Sequence, residues 1–275
     1  MGSNVRLASR FSRDLERIEI SVWNEFYKYA DGETARSCGV DPDHGKMLSI
    51  LIASKLDVLA MNRVIGLGLG EPATNEKIED IISRYKKAGV RRFFVQLHPL
   101  AQPESLAEML TEHGFSHYNN WVKLYREIDA PLPEPASLEI KQIGPDEGQA
   151  FAEIVATSFD WPDTIRPMIA SAVGKPGWYF YLAYDGGVPI ATGANYIDGR
   201  YCWIDFAATL AEHRGKGAQT ALAVRRIEDA KKLNCKWLVA ETAEQTAEKD
   251  APSYRNMLRL GFKMAYRRPN YIMKF

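Results

Sequence analysis

Residues 206–222 constrain this chain most, because an apolar run there ends in the turn RGKG at residues 214–217 and a helix is predicted to follow. Two glycines leave backbone N–H groups uncovered by side chains, and the start of a helix adds unpaired donors and the positive end of its dipole. A strand, a glycine turn and a helix start together favour a bound phosphate or pyrophosphate. The alternative is an ordinary surface turn with a solvated Arg and Lys.

Composition limits the kind of protein that carries this turn. The 275 residues include 35 Lys and Arg and 35 Asp and Glu, so the net charge is zero and a general nucleic-acid or membrane surface is not expected. Cys38, Cys202 and Cys235 are widely spaced and form neither a metal-ligand pattern nor a disulfide framework. No run reaches transmembrane length and no signal peptide is recognised, so we expect a cytoplasmic protein without a metal.

The first half of the chain is predicted from apolar periodicity and turn residues. Its elements are, in order, a helix over 14–30, a loop over 31–45, strands over 47–53 and 57–69, a helix over 75–88, a strand over 91–97, a helix over 103–113 and a strand over 119–128. The following segment, DAPLPEPAS at 129–137, has three prolines that favour an extended linker. We place the linker at 131–137, between domains over 1–130 and 138–275.

The same order of elements returns after the linker. The second half is predicted as a strand over 138–143, helices over 146–158 and 166–173, strands over 178–185, 189–196 and 201–208, a helix over 218–233 and a strand over 236–240. In an ungapped overlay, residues 215–217 of the RGKG turn fall on Gly70, Glu71 and Pro72 of the first half, in that order. An acidic side chain repels a phosphate and proline has no N–H to offer it, so the first copy is predicted to lack the anion site.

Residues 138–275, with this strand, turn and helix followed by the ending SYRNMLRLGF at 253–262, resemble the GNAT superfamily of N-acetyltransferases. The family's pyrophosphate loop, R/Q-x-x-G-x-G/A, matches residues 214–219 except at Gln219, whose longer side chain we expect to be turned outward. The first half looks like a degenerate copy. The resemblance therefore implies an α/β fold, with a mixed sheet flanked by helices, in two tandem GNAT-like domains.

The resemblance also implies a site for acetyl-CoA. It assigns the pantetheine arm and the thioester carbonyl to backbone groups of Phe206, Ala207, Ala208 and Thr209. It assigns the pyrophosphate to Arg214, Gly215, Lys216, Gly217, Ala218, Gln219 and Thr220. Ser253 and Asn256 are assigned to the pantetheine or adenosine side, while Asp250 stands where many relatives have an asparagine.

Acetyl transfer needs a base for the amine and a proton for the departing thiolate. Glu241, at the end of a strand, is the first candidate base and Asp205, beside the expected thioester, is the second; the alternative for each is a partly buried carboxylate satisfied by hydrogen bonds. Many relatives place a tyrosine acid where this chain has Met257, and Tyr254, one turn earlier, either replaces it or packs against the fold.

The acceptor is less constrained than the cofactor. The segment FDWPD at 159–163, with Trp178, either forms an aromatic and acidic wall for an amine or packs in the fold. The leading hypothesis is an acetyl-CoA-dependent N-acetyltransferase acting on a small-molecule or peptide amine, with the second half as the active unit. A non-catalytic CoA-binding module and a different nucleotide-phosphate enzyme are the alternatives.

Overall fold

Two units divide the chain in the computed structural model, which describes residues 2–45, 47–248 and 250–275. The first unit comprises Met1–Lys28, Ala35–Lys123 and Ala265–Phe275, and the second comprises Tyr29–Thr34 and Leu124–Met264. The predicted linker, 131–137, lies inside the second unit, and the last eleven residues, which the sequence grouped with the second domain, belong to the first.

Two helices and three strands precede the first helix that lies between parallel strands, and the elements up to residue 127 are given in chain order. They are α1 (Gly2–Lys28), α2 (Gly32–Cys38), β1 (Val40–His44), β2 (Ser49–Ala53), β3 (Arg63–Ile65), α3 (Asn75–Ala88), β4 (Arg92–Gln96), α4 (Leu106–Glu112) and β5 (Ser116–Glu127). The prediction of a loop over 31–45 is wrong, because α2 and β1 form there. The sequence of β1 is too polar to predict a strand, and β1 forms because it pairs along its whole length with β2. The predicted strand over 57–69 is reduced to β3, preceded by one 3-10 turn at Leu59–Met61.

The second part of the chain follows its predicted elements closely. These are β6 (Glu139–Ile143), α5 (Gly148–Ser158), α6 (Arg166–Ser171), β7 (Trp178–Asp185), β8 (Val188–Asp198), β9 (Tyr201–Thr209), α7 (Ala218–Lys232), β10 (Trp237–Ala243), α8 (Pro252–Arg259) and β11 (Lys263–Lys274).

Each unit has a mixed sheet with the same pattern of strand directions. In the first unit β1, β2 and β3 are antiparallel, β3 and β4 are parallel on either side of α3, and β11 pairs with β4 antiparallel. In the second unit β6, β7, β8 and β9 are antiparallel, and β9 and β10 are parallel on either side of α7. Parallel neighbours need a crossover helix, so α3 and α7 hold equivalent positions in their units.

Apolar cores lie against both sheets. In the first unit the rings of Tyr85 and Phe93 stack 3.7 Å apart, and the apolar side chains of α3, α4 and the strands close around them. In the second unit Phe151, Trp178 and Phe180 pack against Phe206 near the end of β9. Burial of such rings supplies much of the driving force for folding.

The first unit also buries a cluster of charged side chains, which we call the ion cluster: Glu16, Glu19, Arg63, Lys123 and Arg268. Arg268 contacts both carboxylates, and Glu19 also contacts Arg63 and Lys123. Although burial works to raise it, the neighbouring Arg268 and Lys123 lower the pKa of Glu19 to about 2. The cluster thus sets two carboxylates against three cations in the interior of the unit.

Two negative findings apply to the described ranges only. Among those residues, no helix combines the length and apolar character that crossing a membrane requires. Within the same ranges, no group of three or more His, Cys, Asp or Glu side chains is placed to hold a metal ion.

Candidate functional site

The end of β9 separates from its parallel neighbour. Residues 201–203 of β9 pair with 237–239 of β10, and no pairing between these strands continues toward Thr209 in the part of the chain that the structure describes. A bulge interrupts the pairing of β9 with β8 between Thr192 and Ala194, and at this level Phe206 has φ of 48°. Bulges of this kind redirect a strand and free its backbone groups, so the last residues of β9 are exposed to a cavity.

Side-chain hydrogen bonds hold the bulge in place. The amide of Phe206 donates to Asp205 Oδ1 at 2.7 Å, and its carbonyl accepts from Thr192 Oγ1 at 2.6 Å. Asp205 Oδ2 accepts from the indole of Trp203 at 2.8 Å. Both carboxylate oxygens of Asp205 are therefore engaged in fixing the strand, which is the alternative that the sequence left open for this residue.

The RGKG turn is open to solvent. Gly215 and Gly217 have φ of 81° and 79°, in the left-handed region that other residues rarely adopt, and a Cβ at Gly215 would meet no atom within 4 Å. In the described ranges, the amides of Gly215, Lys216 and Gly217 donate to no protein acceptor. Helix α7 begins at Ala218 without a side-chain cap. The turn thus presents a set of unused donors at the positive end of a helix.

A cavity of about 580 Å³ lies beside this turn. Its lining residues are Pro133, Ser158, Phe159, Ala207, Ala208, Thr209, His213, Arg214, Gly215, Gly217, Ala218, Gln219, Thr220, Ala223, Arg226, Pro252, Ser253, Asn256, Met257, Arg259 and Leu260. The lining includes three arginines and a histidine, and no aspartate or glutamate. A cavity with cations, unused amides and no acid fits a ligand with several negative charges.

Eleven of the thirteen residues predicted to bind the cofactor line this cavity: Ala207, Ala208, Thr209, Arg214, Gly215, Gly217, Ala218, Gln219, Thr220, Ser253 and Asn256. The other two, Phe206 and Lys216, do not line it. Lys216 Nζ instead contacts Asp185 Oδ2 at 2.6 Å, on the neighbouring hairpin, and this hydrogen bond lowers the pKa of Asp185. The ammonium of Lys216 is therefore held at the rim by an opposite charge.

Gln219 is not turned outward, so that expectation is wrong. Its Nε2 donates to the carbonyl of Ala208 at 2.8 Å and to Thr209 Oγ1 at 2.9 Å. The reason is the separation of β9 from β10, since backbone carbonyls that no neighbouring strand satisfies need another donor. The glutamine side chain is long enough to reach the end of β9 from the first turn of α7.

Arg226 is a site residue that the sequence did not reveal. Its side chain is 1% exposed and lines the cavity. Its Nη1 donates to the carbonyls of Asp205 at 3.2 Å and Ala194 at 3.3 Å. A Cβ at Gly193 would lie 2.7 Å from the guanidinium, so the glycine in β8 makes the space for it. Burial lowers the pKa of Arg226 to about 10, which leaves it charged at neutral pH.

None of the three predicted proton-transfer residues lines the cavity. Glu241 lies half-buried on β10, beyond the last residue paired with β9. Tyr254 lies half-buried on α8, and Met257, one turn later, lines the cavity instead. Asp205 holds the bulge, as described above. The lining of the cavity therefore contains most of the predicted binding residues and none of the predicted proton-transfer residues.

The predicted acceptor residues separate into two groups. Phe159, 43% exposed, lines the cavity with Ser158, whereas Trp178 is buried against Phe180 and Tyr196 as part of the core.

Asp250, at the position where relatives have an asparagine, pairs with Arg255 and does not line the cavity.

Comparisons with known sequences identify one family whose members resemble the second part of the chain. The sequence model of the acetyltransferase (GNAT) family matches residues 148–262, a range that contains the bulge, the RGKG turn and α7. A search of curated proteins found no match.

Solved structures share the fold over most of the chain. A GCN5-related N-acetyltransferase from Kribbella flavida is 19% identical with a TM-score of 0.61, covering 91% of this chain and 95% of that one. A GCN5-related N-acetyltransferase from Sphaerobacter thermophilus is 16% identical with a TM-score of 0.59, over 84% and 82%. A tandem GNAT protein from the clavulanic acid biosynthesis pathway is 15% identical with a TM-score of 0.55, over 77% and 74%. These likenesses confirm the predicted α/β fold.

Proposed function

We propose that this chain is an acetyltransferase that transfers the acetyl group of acetyl-CoA to a primary amine, a proposal supported by the match of the acetyltransferase (GNAT) family model to residues 148–262. The observation that carries the proposal is the open RGKG turn beside a cavity lined by cations and by no acid. Acetyl-CoA carries several phosphate charges at one end and supplies an acetyl thioester at the other. The donor set of the cavity fits a ligand of that chemistry.

The proposed binding mode uses the two kinds of donor separately. The amides of residues 215–217 and the first turn of α7 would hold the diphosphate, with Arg214 and Arg259 adding charge at the lining. The backbone of Ala207, Ala208 and Thr209 would bind the pantetheine arm. The arm would then replace the side chain of Gln219, which donates to the carbonyl of Ala208 in this structure. Arg226 keeps the interior of the cavity positive, which favours the negative charge that develops during thioester cleavage.

For proton transfer we retain Glu241 as the first candidate base. It is half-buried on β10, the strand that separates from β9 at the bulge, so a bridging water is required for it to reach an amine in the cavity. Asp205 is the weaker candidate, because its two oxygens already accept hydrogen bonds from Trp203 and Phe206. With Met257 lining the cavity, the thiolate would leave without a dedicated acid.

The acceptor amine, from a small molecule or a peptide, would enter beside the end of α5. Phe159 supplies an exposed aromatic surface there. Ser158 Oγ is buried in the same lining and has no hydrogen-bond partner among the described residues, so it is available to a bound molecule. An aromatic face and a hydroxyl suit an amine whose body is partly apolar.

The whole chain is proposed to be a tandem GNAT protein with one active unit. The two sheets share their pattern of strand directions, and a tandem GNAT protein is among the structures that share the fold. We place catalysis in the second unit, since the open turn and its cavity lie there.

A non-catalytic CoA-binding module is the second candidate. The observation that favours it is that Met257 lines the cavity while Glu241, Asp205 and Tyr254 do not. Incubation with acetyl-CoA and a panel of small and peptide amines, followed by detection of free thiol, separates the two. Amine-dependent thiol release supports the enzyme, whereas tight binding of acetyl-CoA without release with any amine supports the module.

A further inference from the structure

The proline-rich segment 130–137 lies against the RGKG turn, although its sequence reads as a simple linker. Pro133 lines the cavity. A Cβ placed on Gly217 would lie 2.8 Å from the Cβ of Ala136, so the segment passes directly beside the turn. The carbonyl of Ala136 then accepts from the amide of Leu138 at 2.8 Å, where the chain bends into β6. This segment therefore contributes to the cavity rather than only joining two parts of the chain.

Arg126 holds the start of the segment in place. Its side chain is 1% exposed, at the end of β5, and its Nη2 donates to the carbonyls of Ala130 and Pro131. Its Nε donates at 2.6 Å to the carbonyl of Leu260, which lines the cavity at the end of α8. One guanidinium thus ties the beginning of the segment to a lining residue at the end of α8, and its rigid planar fork suits several carbonyls at once.

The composition of the segment fits a fixed wall. Its prolines restrict the backbone before folding and carry no N–H groups that would need partners of their own. A wall that is ordered before the ligand arrives lowers the entropy lost on binding. The proximity of Ala136 to Gly217 places this wall beside the amides of the turn.

We propose that residues 130–137 form one wall of the site for the diphosphate-bearing end of the acyl donor, and that Arg126 is the residue that positions this wall. The inference rests on the proposed function, since it assumes that acetyl-CoA is the ligand. It adds a specificity element outside the RGKG turn: a thioester without the diphosphate does not use the wall.

Ala136→Asp tests the wall by placing a negative charge beside the turn. The expected result is at least a tenfold rise in the Kd for acetyl-CoA, while the matched Ala136→Asn variant, of nearly the same shape, stays within threefold of the parent protein. Acetyl-pantetheine, which lacks the diphosphate, is expected to bind all three proteins equally. Equal Kd values for acetyl-CoA in the three proteins would overturn the proposal.

Arg126→Lys tests the positioning role, with circular dichroism confirming that the variant folds. The expected result is a fivefold or greater rise in the KM for acetyl-CoA with kcat retained, and no change in the KM for acetyl-pantetheine. A fall in kcat with both donors would mean that Arg126 only supports the fold. If the parent protein itself binds no acetyl-CoA, the proposed function fails together with this inference; binding by the parent with unchanged variants refutes this inference alone.

Discussion

The glycine turns of the two units lie at equivalent positions, each between a strand and a crossover helix, yet their surroundings are opposite. In the first unit, a Cβ on Gly68 would lie 2.5 Å from the carbonyl of Gln102, and the amide of Gln102 donates to the carbonyl of Gly68 at 2.8 Å. In the second unit, a Cβ on Gly215 would meet no atom within 4 Å, while one on Gly217 would lie 2.8 Å from the Cβ of Ala136. The first turn is hydrogen-bonded to its own chain, whereas the amides of the second donate to no acceptor among the described residues.

The starts of the two crossover helices also differ in how many of their backbone donors are satisfied. Thr74 caps α3, its hydroxyl accepting from the amide of Lys77 at 3.2 Å, whereas α7 begins after Gly217 with no side-chain cap. A capped helix start has fewer donors left for an anion. The comparison teaches that the same order of strands and helix can carry either a satisfied or an unsatisfied helix start, so strand order alone does not decide whether donors are left for an anion.

The two units also differ in how their cationic side chains are paired. The first unit balances its buried cations against Glu16 and Glu19, while the cavity of the second unit has three arginines in its lining and no carboxylate. Removing a carboxylate from the first unit is therefore expected to harm stability, whereas the positive lining of the second unit's cavity attracts an anion.

Glu19→Gln is expected to have the largest effect on stability, because it leaves Arg63, Lys123 and Arg268 without one of their two carboxylates. We expect a loss of about 3–5 kcal/mol in the free energy of unfolding. Urea denaturation followed by tryptophan fluorescence measures it. Glu25→Gln, which removes an exposed pair with Lys28, is the control and is expected to cost less than about 1 kcal/mol. Similar losses in both variants would contradict the role given to the ion cluster.

Acidification is expected to weaken the first unit through His98. Burial, reinforced by Arg268 and Lys123 and opposed by Glu16, lowers the pKa of His98 to about 4, whereas an unfolded histidine titrates near 6.5. Between these values the unfolded state binds more protons, so stability falls as pH drops from about 6.5 to 4, by roughly 2–3 kcal/mol. Urea titrations across this range should show the decline, and a flatter profile is expected for His98→Asn. An unchanged profile in that variant would refute the assignment.

Thr74→Ala tests the capped helix start of the first unit. Loss of the hydroxyl that accepts from Lys77 is expected to cost about 1 kcal/mol, without any change in affinity for acetyl-CoA. Ser83→Ala, exposed in the middle of the same helix, serves as the control and should stay within about 0.5 kcal/mol of the parent. A change in acetyl-CoA affinity for Thr74→Ala would mean that the first turn also binds the ligand.

Asp185→Asn is expected to have the smallest effect. It releases Lys216 from an exposed ion pair and removes a negative charge near the open turn, so the affinity for acetyl-CoA should rise by no more than about threefold. The gain should shrink as salt is added, because exposed charges are screened. Asp57→Asn, which breaks an exposed pair with Arg92 in the first unit, should leave the affinity unchanged. Weaker binding by Asp185→Asn would show that the pair supports the turn.

The sequence predicted the fold and the exposed glycine turn because both are local. Periodicity located α3 and β7 to the residue, and the overlay of Glu71 and Pro72 on the RGKG turn predicts that the first copy lacks an anion site, which stays a prediction. Contacts between distant residues were beyond it. The space that Gly193 leaves for Arg226, and the approach of Ala136 to the turn, depend on tertiary packing that leaves no periodic signal.

Calorimetric titration with acetyl-CoA of the parent protein, Gly217→Glu and Glu71→Ala tests the contrast between the turns most directly. Gly199→Glu, at another open glycine with positive φ, controls for backbone strain. We expect one site per chain in the parent, in Glu71→Ala and in Gly199→Glu, and at least about a 100-fold loss of affinity, near 2.7 kcal/mol, in Gly217→Glu. Two sites in the parent, or full binding by Gly217→Glu, would contradict the assignment of the ligand to the open turn.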